Sequence, residues 1–219
     1  MPVPLNFQQL PRSFAELVEP SRTALVMWDM QKGLAGKAPN LAALQTAAAK
    51  LLDAADKAGV LVAWSRHTFP AMENMTGPWL TWMMRKQAVS RPEDLRPMFQ
   101  AGSDEVEFLD GIAPRTQHLV FPKQQPSLFV DTPFDHYLKV RGIRTIVLAG
   151  FATDIGIELT ARHGMALGYH AVIAEDACGA YAQASHDRSI AFLRDWANVA
   201  KAAEVVAEWQ VKPSAPPPG

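Results

Sequence analysis

The chain of 219 residues is 48% hydrophobic and 20% charged, a composition typical of a globular domain large enough to bury a core. Its 21 basic and 22 acidic residues give a net charge of −1, so neither nucleic acid nor an anionic membrane is an expected partner. No segment approaches the ~20 apolar residues of a membrane span, the N-terminus lacks a secretory pattern, and a lone cysteine, Cys178, excludes an internal disulfide. A cytoplasmic enzyme or binding protein is therefore expected.

The first half of the chain alternates strand-like and helix-like segments. Residues 24–28 are an apolar run that predicts the first strand. Asn40 is a typical helix cap, and apolar residues at helical spacing follow it until Gly59, which ends the helix. Residues 60–64 and 118–121 predict the second and third strands.

The second half of the chain continues the alternation. The predicted elements are a helix over 132–140, a strand over 144–149, a helix over 154–167, a strand over 169–174, a helix over 185–199 and a strand over 203–209. Strands that alternate with helices pair in parallel. The sequence therefore predicts an α/β fold with an open parallel sheet that is covered by helices on both faces.

Several segments lie outside this alternation. Residues 1–22 predict an N-terminal arm with one short helix, ahead of a domain over 23–209. Residues 70–115 are rich in Met, Trp and Pro and have helical potential around 79–89, and loops of such length are often lids or binding elements. The proline-rich end of the chain predicts a disordered tail over 210–219.

Three special positions follow strands one, three and four, where ligands bind in parallel α/β sheets. Asp29 follows the first strand, Lys123 the third, and the turn at 150–156 the fourth. Taken singly, Asp29 is better explained as a cap of the following loop and Lys123 as a surface lysine, but the coincidence of special positions at three strand ends indicates a site. The turn leads into a helix N-terminus, whose backbone N–H groups suit an oxyanion. A hydrolase usually places a nucleophile there, whereas Gly156 has no side chain.

The motifs around these positions are specific in combination. Residues 25–31 read Leu-Val-Met-Trp-Asp-Met-Gln, residues 123–129 read Lys-Gln-Gln-Pro-Ser-Leu-Phe, and residues 150–155 read Gly-Phe-Ala-Thr-Asp-Ile, with Asp176-Ala177 and Ser185-His186 downstream. Over roughly residues 22–207, the chain resembles the isochorismatase-like hydrolases. This superfamily includes cysteine hydrolases such as nicotinamidases and carbamoyl amidases.

The resemblance implies a six-stranded, Rossmann-like three-layer fold, a homodimer or homotetramer, and a small-molecule substrate. It implies a catalytic pair of Asp29 and Lys123. It also implies a cis peptide between Phe151 and Ala152, with the N–H groups of Ala152 and Gly156 forming an oxyanion hole. Nicotinamidases have an Asp-x-His pair after the second strand, where this chain has His67 alone. A single histidine is better explained as a hydrogen-bonded loop residue than as a metal ligand, so no metal or cofactor is expected.

The resemblance places the family's nucleophilic cysteine at position 156, where this chain has Gly156. Thiolate attack from this position is excluded, and Cys178 is expected to pack in the core. True isochorismatases hydrolyse a vinyl ether and also lack the cysteine, which favours enol- or vinyl-ether cleavage with Asp29 as general acid/base and Lys123 beside it. Two alternatives stay open: direct attack of water on an amide or another C–N bond, and an inactive protein that binds a small ligand.

Aromatic residues are the candidates for the wall of a substrate pocket, since such pockets are mostly apolar. Phe69, Trp79 and Trp82 lie in the segment between strands two and three, and Phe151 lies in the turn after strand four. The methionines of the same segment are better explained as core or interface residues, because methionine fills irregular gaps.

Overall fold

The computed structural model describes residues 10–210, whose strands form an open six-stranded parallel sheet. The strands are β1 (Thr23–Trp28), β2 (Leu61–His67), β3 (Leu119–Lys123), β4 (Thr145–Phe151), β5 (His170–Gly179) and β6 (Asn198–Ala200). The α-helices within the described residues are α1 (Phe14–Leu17), α2 (Leu41–Ala58), α3 (Gly77–Gln87), α4 (Phe134–Val140), α5 (Glu158–Ala166), α6 (Gln183–Trp196) and α7 (Ala202–Gln210). The predicted α/β fold class is confirmed.

The strand order in the sheet is β3-β2-β1-β4-β5-β6, and every neighbouring pair is parallel. The chain first builds outward from β1 to β3 and then crosses back to add β4 on the other side of β1. At such a switch point the loops after the two central strands diverge and leave a crevice. The register pairs Trp28 with Gly150 and His67 with Lys123. The ends of four strands therefore meet beside Asp29.

Alternation along β1 assigns its side chains to the two sides of the sheet. Leu25 and Met27 pack with α2 and α7 in one core layer. Ala24, Val26 and Trp28 pack with α4, α5 and α6 in the other layer. Because helices cover both faces, every residue of β1 is buried. The same alternation directs the Trp28 ring towards the helices that follow β3, β4 and β5.

The predicted strand over 203–209 is wrong. Residues Ala202–Gln210 form helix α7, and the sixth strand is the short segment Asn198–Ala200 directly before it. Ala202, Val205 and Trp209 are buried at helical spacing, where α7 packs against α2. The adjacent valines favour a strand only weakly, and tertiary packing overrides such preferences.

Four strands continue beyond their predicted ends, and all four do so at the edge of the sheet that contains Asp29. Strand β2 runs to His67, β3 to Lys123, β4 to Phe151 and β5 to Gly179. The added residues include polar side chains and glycines, which break the apolar runs from which the strands were predicted. The strand ends nearest the candidate site are therefore the parts least visible in the sequence.

The described part of the N-terminal arm is attached to the core. Its predicted short helix is α1, and Leu17 and Val18 are buried. The hydroxyl of Thr145 donates to the Leu17 carbonyl at 2.6 Å, and the indole of Trp209 donates to the Val18 carbonyl at 2.8 Å. Of the predicted disordered tail over 210–219, Gln210 instead ends helix α7, and positions 211–219 lie outside the described residues. No helix within residues 10–210 has both the length and the apolar character to cross a membrane.

Candidate active site

Asp29 directly follows β1 and is buried at the edge of the sheet. Its backbone has φ 43°, a left-handed conformation that is uncommon for a residue with a side chain and that clusters at functional sites. Ser65 of β2 holds the carboxylate in place. The Ser65 hydroxyl donates to Asp29 Oδ1 at 2.5 Å and accepts a hydrogen bond from the Asp29 N–H at 2.9 Å. These reciprocal bonds give the carboxylate one orientation.

Lys123, the last residue of β3, forms a buried ion pair with Asp29 across the end of β2. Its Nζ lies 2.6 Å from Asp29 Oδ2, and the two side chains are only 3% and 7% exposed. Burial lowers the pKa of the Lys123 ammonium, and the charge of Asp29 opposes this shift. Nζ also lies 4.5 Å from the centroid of the Trp28 ring. A lysine that releases its proton more readily than usual therefore contacts the carboxylate.

The turn after β4 has an unusual backbone. Gly150 has φ +132° and lies so close to β1 that a Cβ at this position would overlap the Trp28 carbonyl. The peptide bond between Phe151 and Ala152 is cis. A π-helical turn over Thr153–Ile157 then leads into α5, and such turns are frequent at functional sites.

The indole of Trp28 occupies the space that a side chain at position 156 would need. A Cβ added to Gly156 would overlap the indole atoms Nε1, Cε2 and Cζ2. Trp28 is almost fully buried in the same layer as Ile157, the residue after this glycine. Glycine is therefore required at 156 by the close approach of Trp28. The position has no nucleophile and no room for one beside this ring.

A cavity of about 300 Å³ opens at this edge of the sheet and brings the predicted catalytic residues together. Its lining includes Asp29, Lys123, Ala152 and Gly156. Aromatic rings contribute much of the remaining wall: Trp28, Trp79, Trp82, Phe99, Phe151 and Tyr181. Burial, followed by the charge of Asp29, raises the pKa of Tyr181 to about 12, so its phenol is neutral at physiological pH. A single ion pair inside largely apolar walls is typical of a small-molecule site.

Phe69 differs from the prediction made for it. Trp79, Trp82 and Phe151 line the cavity, whereas Phe69 is buried behind the wall. Its ring centroid lies 4.5 Å from that of His67 and 5.2 Å from that of Trp79. The Phe69 N–H donates to the Phe99 carbonyl at 3.0 Å, which ties the Phe69 backbone to the segment 70–115. Phe69 thus supports wall residues without facing the cavity.

His67 is a cavity residue that sequence reasoning missed. Instead of lying in a loop, it ends β2, is 7% exposed and lines the cavity. Its backbone is held by the Gln31 amide, with bonds of 2.7 and 3.0 Å, but its ring Nδ1 has no hydrogen-bond partner within residues 10–210. Burial and the charge of Lys123 lower the pKa of His67 to about 4, so the ring is neutral at pH 7. A prediction of strand two that continued to position 67 would have placed His67 beside Lys123 at the end of strand three. That position would have identified His67 as a candidate site residue.

Cys178 cannot replace the absent nucleophile. It is buried in β5 and does not line the cavity. Its thiol lies 3.6 Å from the Leu148 carbonyl, and burial raises its pKa to about 12. A thiol with such a pKa is protonated at physiological pH and therefore unreactive. Cys178 is a core residue, as predicted.

Comparisons with known proteins agree with this architecture. A sequence model of the Isochorismatase domain matches residues 23–206. The fold is similar to that of a cysteine hydrolase from Pseudomonas syringae pv. phaseolicola, with a TM-score of 0.78 and 24% identity over 89% of this chain and 95% of that chain. An isochorismatase family protein from Desulfovibrio vulgaris has a TM-score of 0.72 and 22% identity, over 85% of this chain and 98% of that chain. Nicotinamidase/pyrazinamidase from Bacillus subtilis has a TM-score of 0.70 and 18% identity, over 82% of this chain and 100% of that chain. At these identities, likeness to the solved structures establishes the fold alone.

Proposed function

The chain belongs to the isochorismatase family, and we propose that it hydrolyses a small enol ether without a covalent intermediate. The observation that carries this proposal is the buried Lys123–Asp29 pair in a cavity where Trp28 closes position 156 to any nucleophile. Chemistry in such a site has to move a proton and admit water. Acid-catalysed cleavage of an enol ether needs only these two events.

Asp29 is assigned to proton transfer, with Lys123 as the source of the proton. A buried ion pair is costly in apolar surroundings, and transfer of a proton from the ammonium to the carboxylate converts it into a neutral pair. The lowered pKa of Lys123 favours this transfer. Ser65 occupies Asp29 Oδ1, so the proton is received and passed on at Oδ2, the oxygen beside Lys123.

The atoms of the proposed reaction balance within the site. Lys123 protonates Asp29, and Asp29 protonates the terminal alkene carbon, which leaves an oxocarbenium ion at the ether carbon. Water adds to this cation and returns a proton through Asp29 to Lys123. The hemiketal that results collapses to a ketone and an alcohol, so one water is consumed overall.

Two further features of the cavity suit this reaction. Lys123 lies against the Trp28 ring, and once Lys123 has given its proton to Asp29 it is neutral, so the electron-rich face of that ring is left to the developing cation. The N–H groups of Ala152 and Gly156 are assigned to the departing oxygen, because both residues border the cavity.

Direct hydrolysis of an amide by water is the second candidate, and one observation favours it. Two donors, the Ser65 hydroxyl and the Lys123 ammonium, contact the two oxygens of Asp29. A carboxylate held in this way can act as a general base towards water. The two candidates differ in their products, and a protein that only binds its ligand gives neither product.

A turnover assay with two uncharged compounds tests the proposal. 2-Phenoxypropene is an enol ether that yields phenol and acetone, whereas benzamide yields ammonia. We expect phenol and acetone from the wild type and a loss of roughly 10²-fold or more in Asp29→Asn. Asp195→Asn is the matched control, because it removes an exposed carboxylate of α6 that does not line the cavity. Ammonia release that depends on Asp29 would favour the amide reaction, and binding without either product would favour an inactive protein.

A further inference from the structure

We propose that the cavity selects uncharged, planar molecules and that His67 supplies the hydrogen bond that orients them. This selectivity rests on the proposed function, because it takes the cavity as the place where substrate binds. It is nevertheless a property of binding and can be measured without turnover. Failure of the selectivity and failure of the ether cleavage are therefore separate results.

The fixed charges of the cavity cancel. Among the described lining residues, Asp29 and Lys123 carry the charges, and they are paired at 2.6 Å. His67 and Tyr181 are neutral at physiological pH, with pKa values of about 4 and about 12. An entering anion finds Lys123 already paired, and an entering cation finds Asp29 already paired. A charged molecule would therefore lose its hydration without gaining a free counter-ion among the described lining residues.

Lysines already lie against aromatic faces that could otherwise attract a cation. Lys123 Nζ is 4.5 Å from the Trp28 ring centroid. Lys86 Nζ is 5.1 Å from the centroid of Tyr181 and 5.7 Å from that of Trp82. Since each of these rings already interacts with one ammonium, a second cation is repelled. The aromatic walls instead suit stacking against a flat, uncharged group.

His67 is a polar lining residue whose ring has no hydrogen-bond partner in the part of the protein that the structure describes. The ring lies among three aromatic rings, with centroid distances of 4.5 Å to Phe69, 5.3 Å to Phe99 and 6.2 Å to Trp79. Nδ1 is covered by protein and has no hydrogen-bond partner within residues 10–210. Nε2 is therefore the ring nitrogen that a molecule in the cavity can reach. A ligand carbonyl, amide or hydroxyl at Nε2 would give the ring a hydrogen bond that the described protein residues do not supply, whereas Nδ1 stays covered.

Calorimetric titration of the full chain with benzamide, benzoate and benzamidine tests the selection, because these probes share a ring and differ in charge. At neutral pH, benzamide is expected to bind at least about tenfold more tightly than either charged probe. In Asp29→Asn, Lys123 loses its counter-ion, and benzoate is expected to bind at least as tightly as benzamide. Equal binding of a charged probe to the wild type, or no measurable binding of benzamide, overturns the selection.

The role of His67 has its own variants. His67→Leu keeps an apolar side chain and removes the hydrogen bond, so benzamide affinity is expected to fall about three- to tenfold. His136→Leu is the matched control, because His136 is an exposed histidine of α4. The affinity of this variant for benzamide is expected to equal that of the wild type. In the wild type, toluene, which has no hydrogen-bonding group, is expected to bind more weakly than benzamide. Unchanged affinity in folded His67→Leu, or toluene binding as tight as that of benzamide, overturns the role of His67.

Discussion

The indole of Trp28 and the missing side chain at Gly156 are complementary in shape, because the ring fills the volume that any Cβ at 156 would enter. The alternation of β1 brings Trp28 to this place, and the π-helical turn after β4 brings the glycine. A cysteine at 156 and a tryptophan at 28 are therefore incompatible in this geometry. Position 156 therefore lacks a nucleophile for two reasons: the residue is glycine, and the Trp28 ring leaves no space for a side chain there.

Gly156→Ala is expected to lower the free energy of unfolding by about 1–3 kcal/mol, because the new methyl group overlaps a buried ring. Gly77→Ala is the matched control: this glycine begins α3, and a Cβ there meets open space. Its stability is expected to be unchanged or raised, since alanine is the better helix former. Urea denaturation compares the two variants. Gly156→Ala with the stability of the wild type would show that Trp28 moves aside at no cost.

Trp28→Val is expected to make room for a thiol in Gly156→Cys. The double variant should be more stable than the two single variants predict together, by roughly 1 kcal/mol or more. Its new thiol should react with iodoacetamide, as counted by intact-protein mass spectrometry. Cys178 gives no background, because its thiol is buried and its pKa is about 12. A Gly156→Cys single variant that equals the double variant in stability and labelling contradicts the steric account.

Lys123→Met is expected to cost about 3–5 kcal/mol of stability, because it leaves the Asp29 charge buried without a partner. The double variant Asp29→Asn/Lys123→Met removes both charges and should recover most of that loss. The ion pair of Arg194 with Glu175 provides the control, since the Arg194 side chain is 53% exposed and Arg194→Met should cost at most about 1 kcal/mol. Denaturant titrations of all three variants make the comparison. Equal costs at the two sites would show that the Asp29–Lys123 pair behaves as a solvated pair.

Acidification is expected to destabilise the protein through His67. Burial and Lys123 lower its pKa to about 4 in the folded protein, whereas an unperturbed histidine titrates near about 6.5. As pH falls through this interval, the unfolded chain takes up the proton first, so the free energy of unfolding decreases by roughly 3 kcal/mol at most. His67→Gln removes this contribution. Its stability should therefore change less than that of the wild type between neutral pH and about pH 4, and parallel curves for the two proteins would contradict the assignment.

Much of the fold was predictable because its strands and helices have distinct hydrophobic periods. Asn40 and Gly59 flank α2 as predicted, although the Asn40 side chain donates to the Cys178 carbonyl instead of capping the helix. The strand predicted over 203–209 was wrong because the two adjacent valines were given more weight than the helical spacing of the apolar residues around them.

The candidate site was only partly predictable. Asp29 and Lys123 were identifiable because the ends of parallel strands converge, whatever the details of packing. The contact of Trp28 with Gly156 could not be predicted from the sequence, because it depends on the side of the sheet that Trp28 faces and on the path of the turn after β4. His67 was missed because its strand continues through polar residues that break the apolar pattern.

The most direct measurement is the product that the wild type forms from 2-phenoxypropene in D₂O, followed by nuclear magnetic resonance. Protonation at carbon by Asp29 predicts phenol together with acetone that carries one deuterium on a methyl group, and neither product should form above background in Asp29→Asn. A folded wild type that binds benzamide yet releases no acetone, or acetone release that is unchanged in Asp29→Asn, would contradict the proposed reaction.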